Sequence, residues 1–379
     1  MNREQFLNAL RKALQGMEPD EAESVIAYYS EMIDDRMEAG MSEEAAVKAM
    51  EPVKEIAGRV LEEGGFSDEK QRKESDAERQ EIRRPAENIK EVFIQAEGKR
   101  VRIVSDDDAD GVTLHYRIGN GDIFRLHEEE GVLMLEHKLR PVSSFVNERS
   151  DENVTLESII GGIGRFLSSL GDRVASGGFF GNEAPENEIE VVLPRSFFGR
   201  LRVSTSNARI SVGQLVCGQE VSLATSNGRI TLEDIECTRG ITCVTSNGRI
   251  SLADVNAESA HLSTSNGRIT LQDVFVHGML EAHNSNGAIE AEDTGADQCL
   301  HLGTSNGRIA VEGISSPDIV LKTSNGAVTG KIRGQKQDYT VCSATSNGTN
   351  SLGSFPGGGK ALRVNTSNAS ISVDFAAEE

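Results

Sequence analysis

The chain has 379 residues, of which 37% are hydrophobic and 4% aromatic with no Trp, so any large core must be narrow, regular and aliphatic. A formal charge of −21 excludes a generally basic surface for nucleic acid or anionic membrane, while a local basic stripe stays open. Five Cys with no C-x-x-C pair signal neither a disulfide framework nor a zinc knuckle. No run approaches the ~18 apolar residues of a membrane span.

Residues 1–64 read as a small helical bundle. Phe6, Leu7, Leu10 and Leu14 recur at helical spacing. Pro19 and Asp20 open a second segment with Val25, Ile26, Tyr29, Ile33 and Met37 on one face, and Gly40 stops it. Ser42 with Glu43 and Glu44 starts a third segment, and Pro52 opens a fourth that runs to Gly64. Residues 65–88 carry charges of both signs and almost no apolar side chains, the composition of a solvated linker or frayed helix extension.

From Ile89 the pattern changes to period two: VFIQA, VRIVS, VTLHYRI and VLMLEHKL predict leading strands over 89–141. The Gly-rich insertion 142–187 holds a helical stripe of Ile159, Ile160, Ile163, Phe166, Leu167 and Leu170. That stripe suits a short helix covering the open end of a β-structure, or one lying on a membrane surface.

From 188 to 376 one hexapeptide, Thr-Ser-Asn-Gly-Arg-Ile, returns with variations. Its Asn stands at Asn207, Asn227, Asn247, Asn266, Asn286, Asn306, Asn325, Asn347 and Asn368, with spacings of 20, 20, 19, 20, 20, 19, 22 and 21. Such a period predicts a solenoid in which each unit buries its apolar face only against its neighbours. Aligned on the Asn, apolar columns run through Leu201, Val221 and Ile241, through Ile210, Ile230 and Ile250, and through Leu215, Ile235 and Val255. The fold class expected is therefore multidomain, a helical bundle followed by a parallel β-solenoid of about 20 residues per coil. A β-sandwich of hairpins is the rival. The Asn-Gly pair is read as a structural corner tolerant of positive φ, with inward Asn amides bonded from coil to coil, or else as a ligand-binding loop.

NEIEVVLP at 187–194, followed by LRVSTSNARISV and its repeats, resembles the bacterial "putative adhesin" β-strand-repeat family. FLNALRKAL at 6–14, YYSEMIDDRMEAGMSEEAAVKAM at 28–50 and the residues from Pro52 to Ala57 resemble the HAAS signalling domain. Met50 and Glu51 stand where that family commonly has Leu-Gly. The pairing is similar to cell-envelope stress proteins of Gram-positive bacteria. The resemblance implies a binding and signalling role through a protein partner of the helical module, and it carries no catalytic residues.

Several constellations invite chemistry. Arg209, Arg229, Arg249, Arg268 and Arg308 share a column that could hold phosphate or carboxylate polymers, such as wall polymers or lipid headgroups, or pair with local acids including Asp234, Asp254, Asp273 and Asp293. His261, Glu281 and His301 recur five residues before their Asn, with His283 two residues beyond Glu281, a grouping able to share a metal ion or simply to form a solvated face. Cys217 and Cys237 fall at equivalent places in adjacent coils, either as a disulfide or as small buried side chains, and Cys243 falls in an apolar column. No Ser-His-Asp or Cys-His motif, Walker loop or dinucleotide fingerprint occurs, and no cofactor is expected. The function expected is a non-enzymatic scaffold; a surface adhesin for glycans or host protein is the alternative, and a polysaccharide-active β-helix enzyme a lesser one. With no apolar signal core, the expected location is cytoplasmic, with membrane association or surface display by another route left open.

Overall fold

The computed structural model describes residues 3–14, 33, 43–48, 50, 52–54, 78–119, 121–139 and 188–376. The chain falls into two units, Met1–Ala77 and Glu78–Glu379.

In the first unit the helix Arg3–Ala13 buries Phe6 and Leu10, and Leu14 directly after it, the expected stripe. The helix Glu43–Lys48 begins on two acids and ends on a base, as its dipole favours. Its Glu43 Oε1 accepts the Arg3 backbone N–H at 2.9 Å, satisfying one of the orphan donors at a helix start. Ile33, Val47 and Met50 are buried as well. The expected second and fourth helices lie outside the described residues, Ile33 and residues 52–54 apart.

The second unit is a solenoid of parallel strands. One coil consists of the strand Arg200–Thr205, a bend, and the strand Ile210–Cys217. Val221–Thr225 then lies parallel on the first strand, and Ile230 lies on Ile210. The register carries one column through Leu201, Val221, Ile241, Ala260, Leu280, Leu300 and Ile319, none more than 2% exposed. A second column holds six isoleucines, Ile210, Ile230, Ile250, Ile269, Ile289 and Ile309, each fully buried. Alternation turns these side chains inward and the intervening ones outward. Parallel pairing in this register rules out the hairpin sandwich.

A further turn lies seven residues after the Asn. Gln214, Asp234, Asp254, Asp273, Asp293 and Gly313 there have φ of 55, 55, 52, 51, 43 and 68°. The left-handed residue resets the phase, so that the Leu215 column also faces inward. The Asp column is thus a row of turn residues.

The solenoid begins well before residue 188. Glu91–Ala96 lies parallel on Arg200–Thr205, and Arg100–Asp106 lies parallel on both Ile210–Cys217 and Glu188–Pro194. Residues 91–106 therefore form a coil without the hexapeptide. Antiparallel strands finish this end: Asp122–Glu129 on Val132–Leu139, and Gly111–Ile118 between Glu188–Pro194 and Glu78–Pro85. The strand Glu78–Pro85 corrects the expected linker 65–88. An edge strand needs no apolar alternation, and this one keeps only Ile82 packed against the core while Arg83 and Arg84 pair with Asp110 and Glu128 at 2.6 Å each. Residues 65–77 and the insertion 142–187 with its expected helix lie outside the described residues.

At the other end the order of the last windings is exchanged. Asp318–Lys322 pairs with Lys360–Asn365, and only then does Lys360–Asn365 pair with Tyr339–Ala344. The later strand in the chain lies inside the earlier one. Its companion Ile371–Ala376 pairs directly with Val328–Arg333.

Candidate functional site

The hexapeptide builds the corner through its Thr and Asn side chains and the bare backbone of its Gly. Thr225 Oγ1 accepts the Gly228 N–H at 3.1 Å and donates to the Ala208 carbonyl of the preceding coil at 3.3 Å. Thr245 repeats this with Gly248 and Gly228. Asn284, which breaks the motif, supplies both functions from its amide: Oδ1 accepts the Gly287 N–H at 2.9 Å and Nδ2 donates to the Gly267 carbonyl. The buried hydroxyls of Thr205, Thr225, Thr245, Thr264, Thr304, Thr323 and Thr366 were not singled out from sequence, although only Asn284 breaks the Thr column.

The glycine is required for a different reason than expected. None of the repeat glycines from Gly228 to Gly326 has positive φ. A Cβ on Gly248 would instead lie 1.7 Å from the Gly228 carbonyl oxygen, and one on Gly267 would lie 1.8 Å from that of Gly248. The coils approach too closely at the corner for any side chain.

The asparagines stack, but outward rather than inward. Each Nδ2 donates to the Oδ1 of the neighbouring coil: Asn247 to Asn227 at 2.5 Å, Asn266 to Asn247 at 2.6 Å, and Asn286 to Asn266, Asn306 to Asn286 and Asn325 to Asn306 at 2.7 Å. Asn227 donates likewise to Asn207. The file then runs Asn325, Asn368, Asn347, following the exchanged windings. All nine are exposed at the surface.

Beside this file stand the arginines. Arg209, Arg229, Arg249 and Arg268 occupy four successive coils. Burial, and then the charge of Arg249, push the Arg229 guanidinium below its ordinary pKa. The next coil has Ala288 in place of Arg, and its Glu290 reaches Arg268 at 3.1 Å on one side and Arg308 at 2.6 Å on the other. Glu290 thus bridges two arginines of the column. Asp234 and Asp293 reach Arg195 and Arg333 instead.

The histidine group gathers on the outer side of the strands Ile250–Thr264, Met279–Asn284 and Cys299–Gly303. Register places His261, Glu281 and His301 in one outward column, and Ser263, His283 and Gly303 in the next. Glu281 is the hub. Its Oε1 lies 2.7 Å from His283 Nε2 and 3.7 Å from His301 Nδ1, and its Oε2 lies 3.2 Å from His261 Nδ1. The His283 and His301 rings meet edge to face, with centroids 5.0 Å apart. Gly303 makes room for this: a Cβ there would lie 3.0 Å from His283 Nδ1. The His283 hydrogen bond, outweighing burial, holds the Glu281 carboxyl below the usual range, with His261 adding to it. Burial, then the neighbouring His283, lower the His301 imidazole, which favours the neutral ring with one nitrogen lone pair available.

The HAAS family matches residues 5–59, and the Toastrack DUF4097 family matches residues 167–373, more than half of the chain. The chain belongs to the Toastrack DUF4097 family. Two solved structures are similar to it: a "putative cell adhesion protein" from Clostridium sporogenes, 7% identical, covering 79% of this chain and 100% of its own, and a "putative adhesin" from Bacteroides fragilis, 9% identical, covering 79% and 97%. Both align with a TM-score of 0.26, too loose to transfer anything to this chain. No curated protein matches it.

Within the Toastrack solenoid three of the five thiols, those of Cys217, Cys237 and Cys243, are buried. Cys217 and Cys237 are register partners, and both are free and buried. The Cys217 thiol bonds the Gly199 carbonyl at 3.4 Å, and its hydrogen bond with Cys237, together with burial, pushes it well up. Burial alone does the same to Cys243, so neither is a ready nucleophile. At the solenoid's first end a buried ion group went unnoticed in sequence. Asp122 lies 2.8 Å from Lys99 Nζ and 2.9 Å from His137 Nε2, with all three side chains under a tenth exposed. His137 Nδ1 accepts the Glu97 N–H, which places the ring proton on Nε2 toward Asp122. Glu136, His137 and Lys138 follow an apolar run there as any strand end might, a signal too slight to read from sequence.

Proposed function

We propose that this Toastrack protein is a non-enzymatic binding scaffold that senses or responds to cell-envelope stress. The observation that carries the reading is the repetition of outward groups in register: an exposed Asn amide recurs in all nine repeat units, and Arg209, Arg229, Arg249 and Arg268 stand in four successive coils, at a spacing of about 4.8 Å. A face of that kind suits a repetitive polymer or a headgroup surface better than one small molecule held in a closed pocket. HAAS domains mediate protein interactions, and one matches the same chain. In this reading an anionic wall polymer or headgroup docks along the arginine and asparagine files, and the helical module passes the event to a protein partner. The work is done at the envelope; among the described residues no helix is long and apolar enough to cross a membrane.

Full-length protein titrated with purified wall polymer, and separately with anionic vesicles, tests this by hydrogen exchange. Protection gained along the Asn file, together with changed exchange in Arg3–Ala13, supports the reading. Binding of neither ligand, or binding with unchanged exchange in the helix, overturns it.

A further inference from the structure

We infer that Glu281, His283 and His301 form a binding site for a single Zn²⁺-class ion on the outer face of the solenoid, with His261 positioning the carboxylate. The three donors belong to two adjacent strands locked in register by their backbone ladder, so the site is held by the fold rather than by a loop. A ring nitrogen from each histidine and one carboxylate oxygen lie within 4.8 Å of one another. The separations from Glu281 Oε1, 2.7 Å to His283 Nε2 and 3.7 Å to His301 Nδ1, bracket the ~3.3 Å edge of a tetrahedron with metal–ligand bonds of ~2.05 Å. Small side-chain rotations bring them onto it.

Two imidazoles and a carboxylate form a donor set for zinc and its neighbours in the transition series; calcium and magnesium seek oxygen. His261 lies against the other carboxylate oxygen, at 3.2 Å, and so fixes which lone pair Glu281 turns toward the ion. Gly303 contributes by absence of a side chain, since the space a Cβ would take is where His283 leans. The ligands are 30 to 42% exposed, so the fourth position opens to solvent and takes water or a donor from another molecule. The inference is independent of the scaffold reading: the ion can bind whether or not the files recognise a polymer.

Calorimetric titration of metal-stripped full-length protein with Zn²⁺ tests it. One ion per chain is expected, with no competition from millimolar Mg²⁺. His283→Ala and His301→Gln should each weaken binding about 10-fold or more, and His261→Ala by up to about 10-fold through loss of orientation. His277→Ala, which removes a histidine paired with Asp297 outside the group, should leave the affinity unchanged. Imidazole resonances of the unsubstituted protein give a second readout that no folding defect can mimic: those of His283 and His301 shift on zinc addition, and that of His277 does not. Absence of a saturable one-to-one event, affinity indifferent to both ligand variants, or unmoved His283 and His301 resonances overturns the assignment.

Discussion

Gly248 faces a carbonyl oxygen of the coil before it, and that contact sets what its position accepts. Backbone atoms cannot rotate aside as a side chain can. Gly248→Ala should therefore cost about 1–3 kcal/mol in urea unfolding. Asp254, with φ of 52°, is the opposite case. Asp254→Gly relieves a left-handed conformation while adding unfolded-state freedom, so stability should stay within about 0.5 kcal/mol of the parent. At the broken motif, Asn284→Ala strands the Gly287 N–H and the Gly267 carbonyl and should cost about 1–3 kcal/mol, whereas Asn284→Thr restores the usual hydroxyl and should cost less than half of that. Urea midpoints at constant slope check all of these. That a corner existed was legible from Asn-Gly. Its mechanism was not, because sequence carries no measure of how closely two coils approach, and the general tolerance of glycine for positive φ supplied the wrong reason.

At the scale of strands, the buried Lys99, Asp122 and His137 side chains join the hairpin of Asp122–Glu129 and Val132–Leu139 to the first coil. Burial lowers the His137 pKa despite Asp122 beside it. The unfolded chain then takes a proton near pH ~6.5 that the folded one refuses, so stability falls as pH drops through and below that value. Asp122 acts in the same direction. Burial raises its pKa, but the Lys99 and His137 hydrogen bonds and the Gly119 N–H more than offset this and hold it low. Its contribution is present above the ordinary carboxylate value and is lost as pH falls through the folded one. Urea unfolding at pH 7.5 and 5.5 should show the loss, and His137→Gln should flatten the upper part of the dependence. The apolar columns and the coil itself were legible because one buried face forces a period of two. Glu78–Pro85 was not, because an edge strand with a single packed residue has the composition of a linker.

For the whole solenoid, a chain of charge −21 carries a basic file into which Glu290 reaches. Glu290→Gln releases both Arg268 and Arg308 from the carboxylate that bridges them. Retention on a polyphosphate resin should rise several-fold at low salt and return to the parental value near 1 M, where screening acts within ~3 Å. The histidine group was legible because three residues share one offset in neighbouring coils, and register then made them neighbours in space. The placement of the last windings was not, since the same aliphatic columns accept Lys360–Asn365 on either side of Tyr339–Ala344.

That exchange bears on how such a rod can lengthen. Tandem duplication of a unit between Asn207 and Asn325 only shifts later windings along the axis. A copy appended after Ile371–Ala376 would emerge beneath a winding already seated and find its stacking surface taken. Length should therefore evolve, or be engineered, from the interior of the rod, with the reversed pair conserved as a stopper.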